Sequence, residues 1–154
     1  MRTSGILLPI SSLPSPGGIG TMGAAAREFV DFLHAAGQHY WQILPVCPTS
    51  YGDSPYQSFS TFAGNPYFID LDQLAGLLTP EEYRTIDWES APDCINYGVL
   101  YEKRYPVLRR ACARLLANPP EDYEQFLADN AFWLPDYALF MALKDAHGGK
   151  SWLE

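Results

Sequence analysis

The chain has 154 residues, 47% of them hydrophobic and 18% charged, enough for one globular unit with its own core and too apolar for a disordered segment. Ten Lys and Arg face eighteen Asp and Glu, a net charge of -8, which excludes the clustered basic surface that nucleic acid requires. The three cysteines, Cys47, Cys94 and Cys112, form no CxxC pair, so neither a disulfide framework nor a zinc site is expected, and each reads as a small buried hydrophobe.

The opening "MRTSGILLPISSLP" has one Arg and a short apolar run cut by Pro9, too short for a secretory or membrane-spanning segment, so a cytoplasmic protein is expected. "SGILLP" reads as a short strand covered on both faces. From Gly23 to Gly37, Ala26, Phe29, Val30, Leu33 and Ala36 fall at helical spacing, and Gly37 supplies the left-handed residue that commonly ends a helix. "YWQILPV", residues 40–46, is rich in aromatic and β-branched residues and reads as a second buried strand. Strand, helix, strand with short connections is a βαβ unit, which implies a parallel sheet or barrel.

Between the first strand and the helix lies "GGIGTMG", in which Gly18, Gly20 and Gly23 have the spacing of a dinucleotide-binding turn. That turn must follow its strand directly, and here about nine residues with Pro14 and Pro16 intervene. It also needs an acid at the end of the second strand, and "ILPVCPTS" has none. The glycines are therefore expected to let a long loop turn tightly into a helix, with no nicotinamide cofactor.

After the second strand comes "PTSYGDSPYQSFSTFAGNPYFIDL", residues 48–71, where Tyr51, Tyr56, Phe59 and Phe62 alternate with Ser, Thr, Asp and Gln. A pyranose ring offers apolar C–H faces to aromatic rings and equatorial hydroxyls to short polar groups, so this composition suits a sugar site. A loop at the C-terminal end of a parallel strand is also where α/β barrels place their active sites. Phe59 and Phe62, lacking a polar handle, are expected to cap the barrel rim. Asp53 is either a turn residue of "YGDSPY" or a direct sugar contact, and Asp70 and Asp72 read as ordinary solvated acids.

"SGILLPISSLPSPGGIGTMG" and "GQHYWQILPVCPTSYGDSPYQSFSTFAGNPYFIDL" resemble the N-terminal part of the 4-α-glucanotransferases called amylomaltase or disproportionating enzyme. The likeness continues through "NYGVLYEKRYPVL" and "DYALFMALKDAHGG". It implies the start of a (β/α)8 TIM barrel in an α/β fold, with residues 1–70 forming the first βαβ unit and 71–154 a mostly helical inserted subdomain. The later segments fit helices. "TPEEY" has Thr79 as N-cap and Glu82 completing a capping box. Residues 97–117 are helical, kinked or divided by Pro106. Helices also lie at "PPEDYEQFLADN" and "FWLPDYALFMALKDAHGG". Trp133, Phe140 and Met141 read as a core stripe and His147 as a helix-end residue.

The resemblance implies retaining transfer of α-1,4-glucan segments, in which one carboxylate attacks the anomeric carbon and a second carboxyl serves as acid and then base. In the family these carboxylates lie on later strands, so no catalytic residue is expected in this chain, and the remainder of the barrel is needed for activity. Tyr56 matches the tyrosine placed against the sugar beside the scissile bond, and Ser54 a serine near the acceptor side. Tyr51 and Tyr101 match aromatics of a secondary glucan groove, although Tyr101 could equally serve packing alone. The expected partner is α-1,4-glucan or maltooligosaccharide, with no cofactor, metal, nucleic acid or membrane. A non-catalytic glucan-binding or interaction module is the alternative. Two parallel strands cannot close a barrel, so open apolar faces and strand edges are expected.

Overall fold

The computed structural model describes residues 2–50, 52–89, 91 and 93–150. The two apolar runs become strands β1, Gly5–Leu7, and β2, Tyr40–Gln42, paired in parallel with Gly5 opposite Tyr40 and Leu7 opposite Gln42. Gly5 permits the close approach, since a Cβ there would lie 2.5 Å from the Tyr40 carbonyl oxygen. The second strand is shorter than residues 40–46, because Pro45 has no N–H to continue a ladder.

Helix α1, Ala24–Ala35, joins the strands in the order expected. It ends in a Schellman motif: Gly37 at φ +68° donates to His34 O and Gln38 donates to Leu33 O. Phe29 packs edge-on against Trp41 at 5.0 Å, and the Trp41 indole donates to Leu8 O at 2.8 Å. Of the expected apolar stripe only Leu33 is fully buried, while Val30 and Ala36 are exposed.

The strands are not covered on both faces. Ile6, Leu7 and Tyr40 are 40%, 55% and 64% exposed, the open apolar surface anticipated for two barrel strands without neighbours. The main core lies instead in the segment after β2, where Tyr67, Leu71, Leu78, Tyr83, Trp88, Leu100, Val107 and Ala111 cluster around Ile19. Ile19 comes from the glycine turn, so the β1–α1 connection is plugged into the helical region.

That region begins with 3-10 turns at Pro66–Phe68 and Leu71–Leu74, capped by the side chains of Asn65 and Asp70. Helix α2, Glu81–Arg84, has half of the expected capping box: the Glu82 carboxylate accepts from Thr79 N, with no return bond from the Thr79 side chain. Helix α3, Tyr97–Val99, is N-capped by Asn96 and runs through a π turn, Leu100–Arg104, into α4, Tyr105–Ala117. Pro106 cannot donate to Glu102, and the helix widens just before it without breaking.

Helices α5, Tyr123–Asp129, and α6, Leu134–Ala146, follow, with Pro135 in the first turn of α6 and Gly148 and Gly149 at positive φ beyond it. His147 caps the end of α6, as expected. The stripe Trp133, Phe140 and Met141 is only half-buried, and Trp133 and Phe140 line a groove. The cysteines also depart from expectation: Cys94 and Cys112 are exposed and Cys47 half-buried. Cys112 lies off the stripe centred on Leu100, Val107 and Ala111. Among the described residues no helix is long and apolar enough to cross a membrane.

Candidate functional site

The glycine turn has the packing role its spacing from the strand implies. A Cβ on Gly20 would lie 1.9 Å from Ile10 O, and one on Gly18, at φ +78°, would lie 2.8 Å from Trp88 Cβ. At Gly23, the N-cap of α1, the Asp70 carboxylate lies so close that any side chain would collide with it. The positive helix end that a dinucleotide phosphate would need is thus already faced by a native carboxylate. Asp70 is therefore more than a solvated surface acid.

A fully buried guanidinium locks this turn down. Arg104, on the π turn, donates to Gly17 O at 3.0 Å and to Ile69 O at 2.6 Å, and its charge lies 5.8 Å from the Trp88 ring centroid. Its Nε has no partner among the described residues. Burial lowers its pKa to about 10, with Asp70 opposing that fall, so it stays charged at neutral pH. Arg104 was not singled out from the sequence. The signal was present: Leu100, Arg104, Val107 and Ala111 repeat at helical spacing, and all are buried.

The aromatic loop leaves β2 at its C-terminal end, and hydrogen bonds within the loop itself close it. Asp53 N donates to Ser50 O at 3.0 Å, Ser50 N to Gln57 O at 3.1 Å, and Gln57 N to Ser54 O at 3.1 Å. Gly52 and Asp53 take successive positive φ values of +88° and +55°, which turns the chain sharply between them. Asp53 is half-buried, and burial raises its carboxyl pKa while a long contact from the Thr49 hydroxyl at 3.5 Å opposes the rise. These are the features of a turn residue facing inward.

Tyr56 points away from the body and is 73% exposed, which leaves its ring free to meet a ligand. Ser54 is half-buried beneath it, its Oγ 3.4 Å from Tyr56 N. Tyr51 lies outside the described residues. Tyr101 is also largely exposed and packs edge-on against Tyr105 at 5.5 Å. Tyr105 in turn meets buried Tyr67, and Tyr67 meets Tyr97, at 5.5 and 6.1 Å. The structure thus brings Asp53, Ser54 and Tyr56 into one loop and sets Tyr101 apart on the helical segment.

Phe59 and Phe62 do more than cap a strand end. Phe59 approaches Tyr137 and Phe140, and Phe62 approaches Phe132 and Trp133, so the second half of the loop is fastened to α6 and the residues just before it. A groove of about 480 Å³ opens between them, with Ser58, Ser60 and Asp136 among its polar walls. Beneath the first half of the loop, a separate cavity of about 90 Å³ is walled by Ser11, Asp53, Asn65 and Tyr97. Tyr97 and Asn65 were not singled out from sequence, since 44 residues separate Tyr97 from Asp53 and only the fold brings them together.

Comparison with known proteins identifies the family. The family model described as 4-alpha-glucanotransferase matches residues 8–154. A 4-alpha-glucanotransferase of Clostridium butyricum is 52% identical over 93% of this chain and 30% of its own length. One from Thermus thermophilus is 49% identical over 98% of this chain and 30% of its own length. A solved amylomaltase of Streptococcus agalactiae, in complex with acarbose, superposes with a TM-score of 0.90 at 44% identity, covering 98% of this chain and 31% of that one. The chain spans about 30% of the length of these relatives, and it belongs to the 4-alpha-glucanotransferase family.

Proposed function

We propose that the chain is the substrate-binding start of a (β/α)8-barrel 4-α-glucanotransferase, a cytoplasmic enzyme that moves α-1,4-glucan segments between maltooligosaccharides. Residues 1–70 form the first βαβ unit of that barrel and 71–154 the helical insertion. Tyr56, exposed on a self-closed loop at the C-terminal end of β2, is the observation that carries this reading. Its ring would lie against a C–H face of the sugar, Ser54 would offer a hydroxyl beside it, and Tyr51 and Tyr101 would hold the glucan further along.

The chemistry fits a division of labour. Retention needs two carboxyls about 5 Å apart, and the loop offers only Asp53, which faces inward. The nucleophile and the acid–base carboxyl therefore come from the rest of the barrel, which also covers the open faces of β1 and β2. The loop binds and orients the glucan, and stacking contributes on the order of 1 kcal/mol per ring. A sugar hydroxyl then displaces the enzyme carboxylate from the anomeric carbon, so one glycosidic bond forms for each one broken.

The test is disproportionation of maltotriose by the full-length polypeptide. Two maltotrioses yield maltopentaose and glucose, and longer glucans follow. A Tyr56→Ala variant should slow this by about 5- to 30-fold, the equivalent of one or two kcal/mol. Release of glucose without longer glucans, or full activity in the variant, would refute the reading.

A further inference from the structure

Loop 49–57 is exposed at Tyr56 and anchored at its base. Asp53 holds φ +55°, a conformation that non-glycine residues seldom adopt and that persists only where surroundings enforce it. It borders the 90 Å³ cavity whose other walls include Ser11 from the β1–α1 connection, Asn65 and Tyr97. That volume is well below the roughly 300 Å³ at which small-molecule pockets begin, but it has room for several waters, so the cavity is no sugar subsite.

Tyr97 is fixed from behind. Asn96 caps its helical turn by accepting from Val99 N at 3.2 Å, and its ring packs against buried Tyr67. Its hydroxyl senses the loop: burial and the Asp53 carboxylate raise its pKa, and Ser11 lowers it. Asn65 is held as well, its Oδ1 accepting from Tyr67 N and its own N–H donating to Val46 O. The loop thus forms one side of the cavity, through Asp53, and the held residues Asn65 and Tyr97 line other sides.

We propose that Asp53 and Tyr97 are positioning residues which, facing one another across this cavity, hold the loop at the height where Tyr56 meets the glucan. Neither touches sugar. The inference rests on the reading of Tyr56 as a glucan contact, and it reassigns Asp53 from sugar contact to anchor. It also makes the helical segment part of the binding site, through the tyrosine that opens α3.

The test is steady-state kinetics of maltotriose disproportionation by the full-length polypeptide carrying Asp53→Asn, Tyr97→Phe, both together, or Tyr56→Ala. Tyr97→Phe removes one oxygen, and its thermal melting should match wild type. Each single anchor variant should raise KM about 3- to 10-fold with kcat within about twofold, because only binding is lost. The double variant should be no worse than the weaker single one, since both cut the same anchor. Unchanged KM in both singles overturns the proposal, as do multiplying effects in the double. A loss confined to kcat also overturns it. Tyr56→Ala separates the two claims: if it leaves KM unchanged, the glucan-contact reading fails, and if it alone raises KM, only the anchor fails.

Discussion

Replacing Arg104 with Met should cost about 2–4 kcal/mol of folding stability, even though the volume is nearly conserved. Exchanging a buried ion pair for apolar groups is often neutral, because both charged partners leave together. Arg104 differs, because its acceptors are the backbone oxygens of Gly17 and Ile69, which no side-chain substitution removes. The carbonyls of half-buried Gly17 and of Ile69 would lose charge-assisted donors, each worth about 1.5–3 kcal/mol, while relief of guanidinium desolvation and access of water to the freed oxygens return part of that sum. Arg104→Lys keeps the charge but can reach only one carbonyl well, so it should lose about half as much. Equilibrium urea unfolding with an unchanged m-value is the assay. A Met variant as stable as wild type would show that the guanidinium does not hold the glycine turn to the helical segment.

Gly20→Ala should destabilise strongly, by about 2 kcal/mol or more, because its Cβ meets only backbone. Gly37→Ala, in open space at φ +68°, should cost only about 1 kcal/mol in thermal unfolding. A reversed order would contradict the close-packed turn. Glu82, bonded by Arg114, Thr79 N and Arg110, has its pKa lowered to about 2 from an ordinary 4.5. Its contribution to stability is therefore present above pH 4.5 and lost as pH falls through the folded value, and acid titration of Glu82→Gln should lack that component. The 154-residue chain on its own should self-associate through β1 and β2, and a clean monomer by light scattering at high concentration would argue against open strand edges.

The sequence was most informative where a signal was local. Pro9, Gly37 and Pro135 delimited β1, α1 and α6 because each acts on its own backbone. The spacing of prolines after β1 was enough to reject a dinucleotide turn, and the collisions at Gly18, Gly20 and Gly23 give the packing reason. Burial was less legible. The strands read as covered because apolar runs usually are, but among the described residues β1 and β2 pair only with each other. Cys112 read as buried because a small shift in the helical stripe carries a residue across its boundary.

Long-range assembly was least legible of all. Nothing near Tyr97 shows that it would line one cavity with Asp53, and nothing near Phe59 and Phe62 shows that their partners lie on α6 and just before it. Arg104 was readable as a charge on a buried stripe, but its carbonyl partners, 87 and 35 residues away, were not. Tyr56 was one of four aromatics interleaved with short polar groups, a compositional signal that needs no fold, and the family resemblance singled it out among them.

The most direct test of the central claim is titration calorimetry of acarbose into the full-length polypeptide, wild type against Tyr56→Ala. The account predicts that wild type binds and that the variant binds about 5- to 30-fold more weakly with unaltered melting. Equal affinities would show that this loop does not carry the glucan.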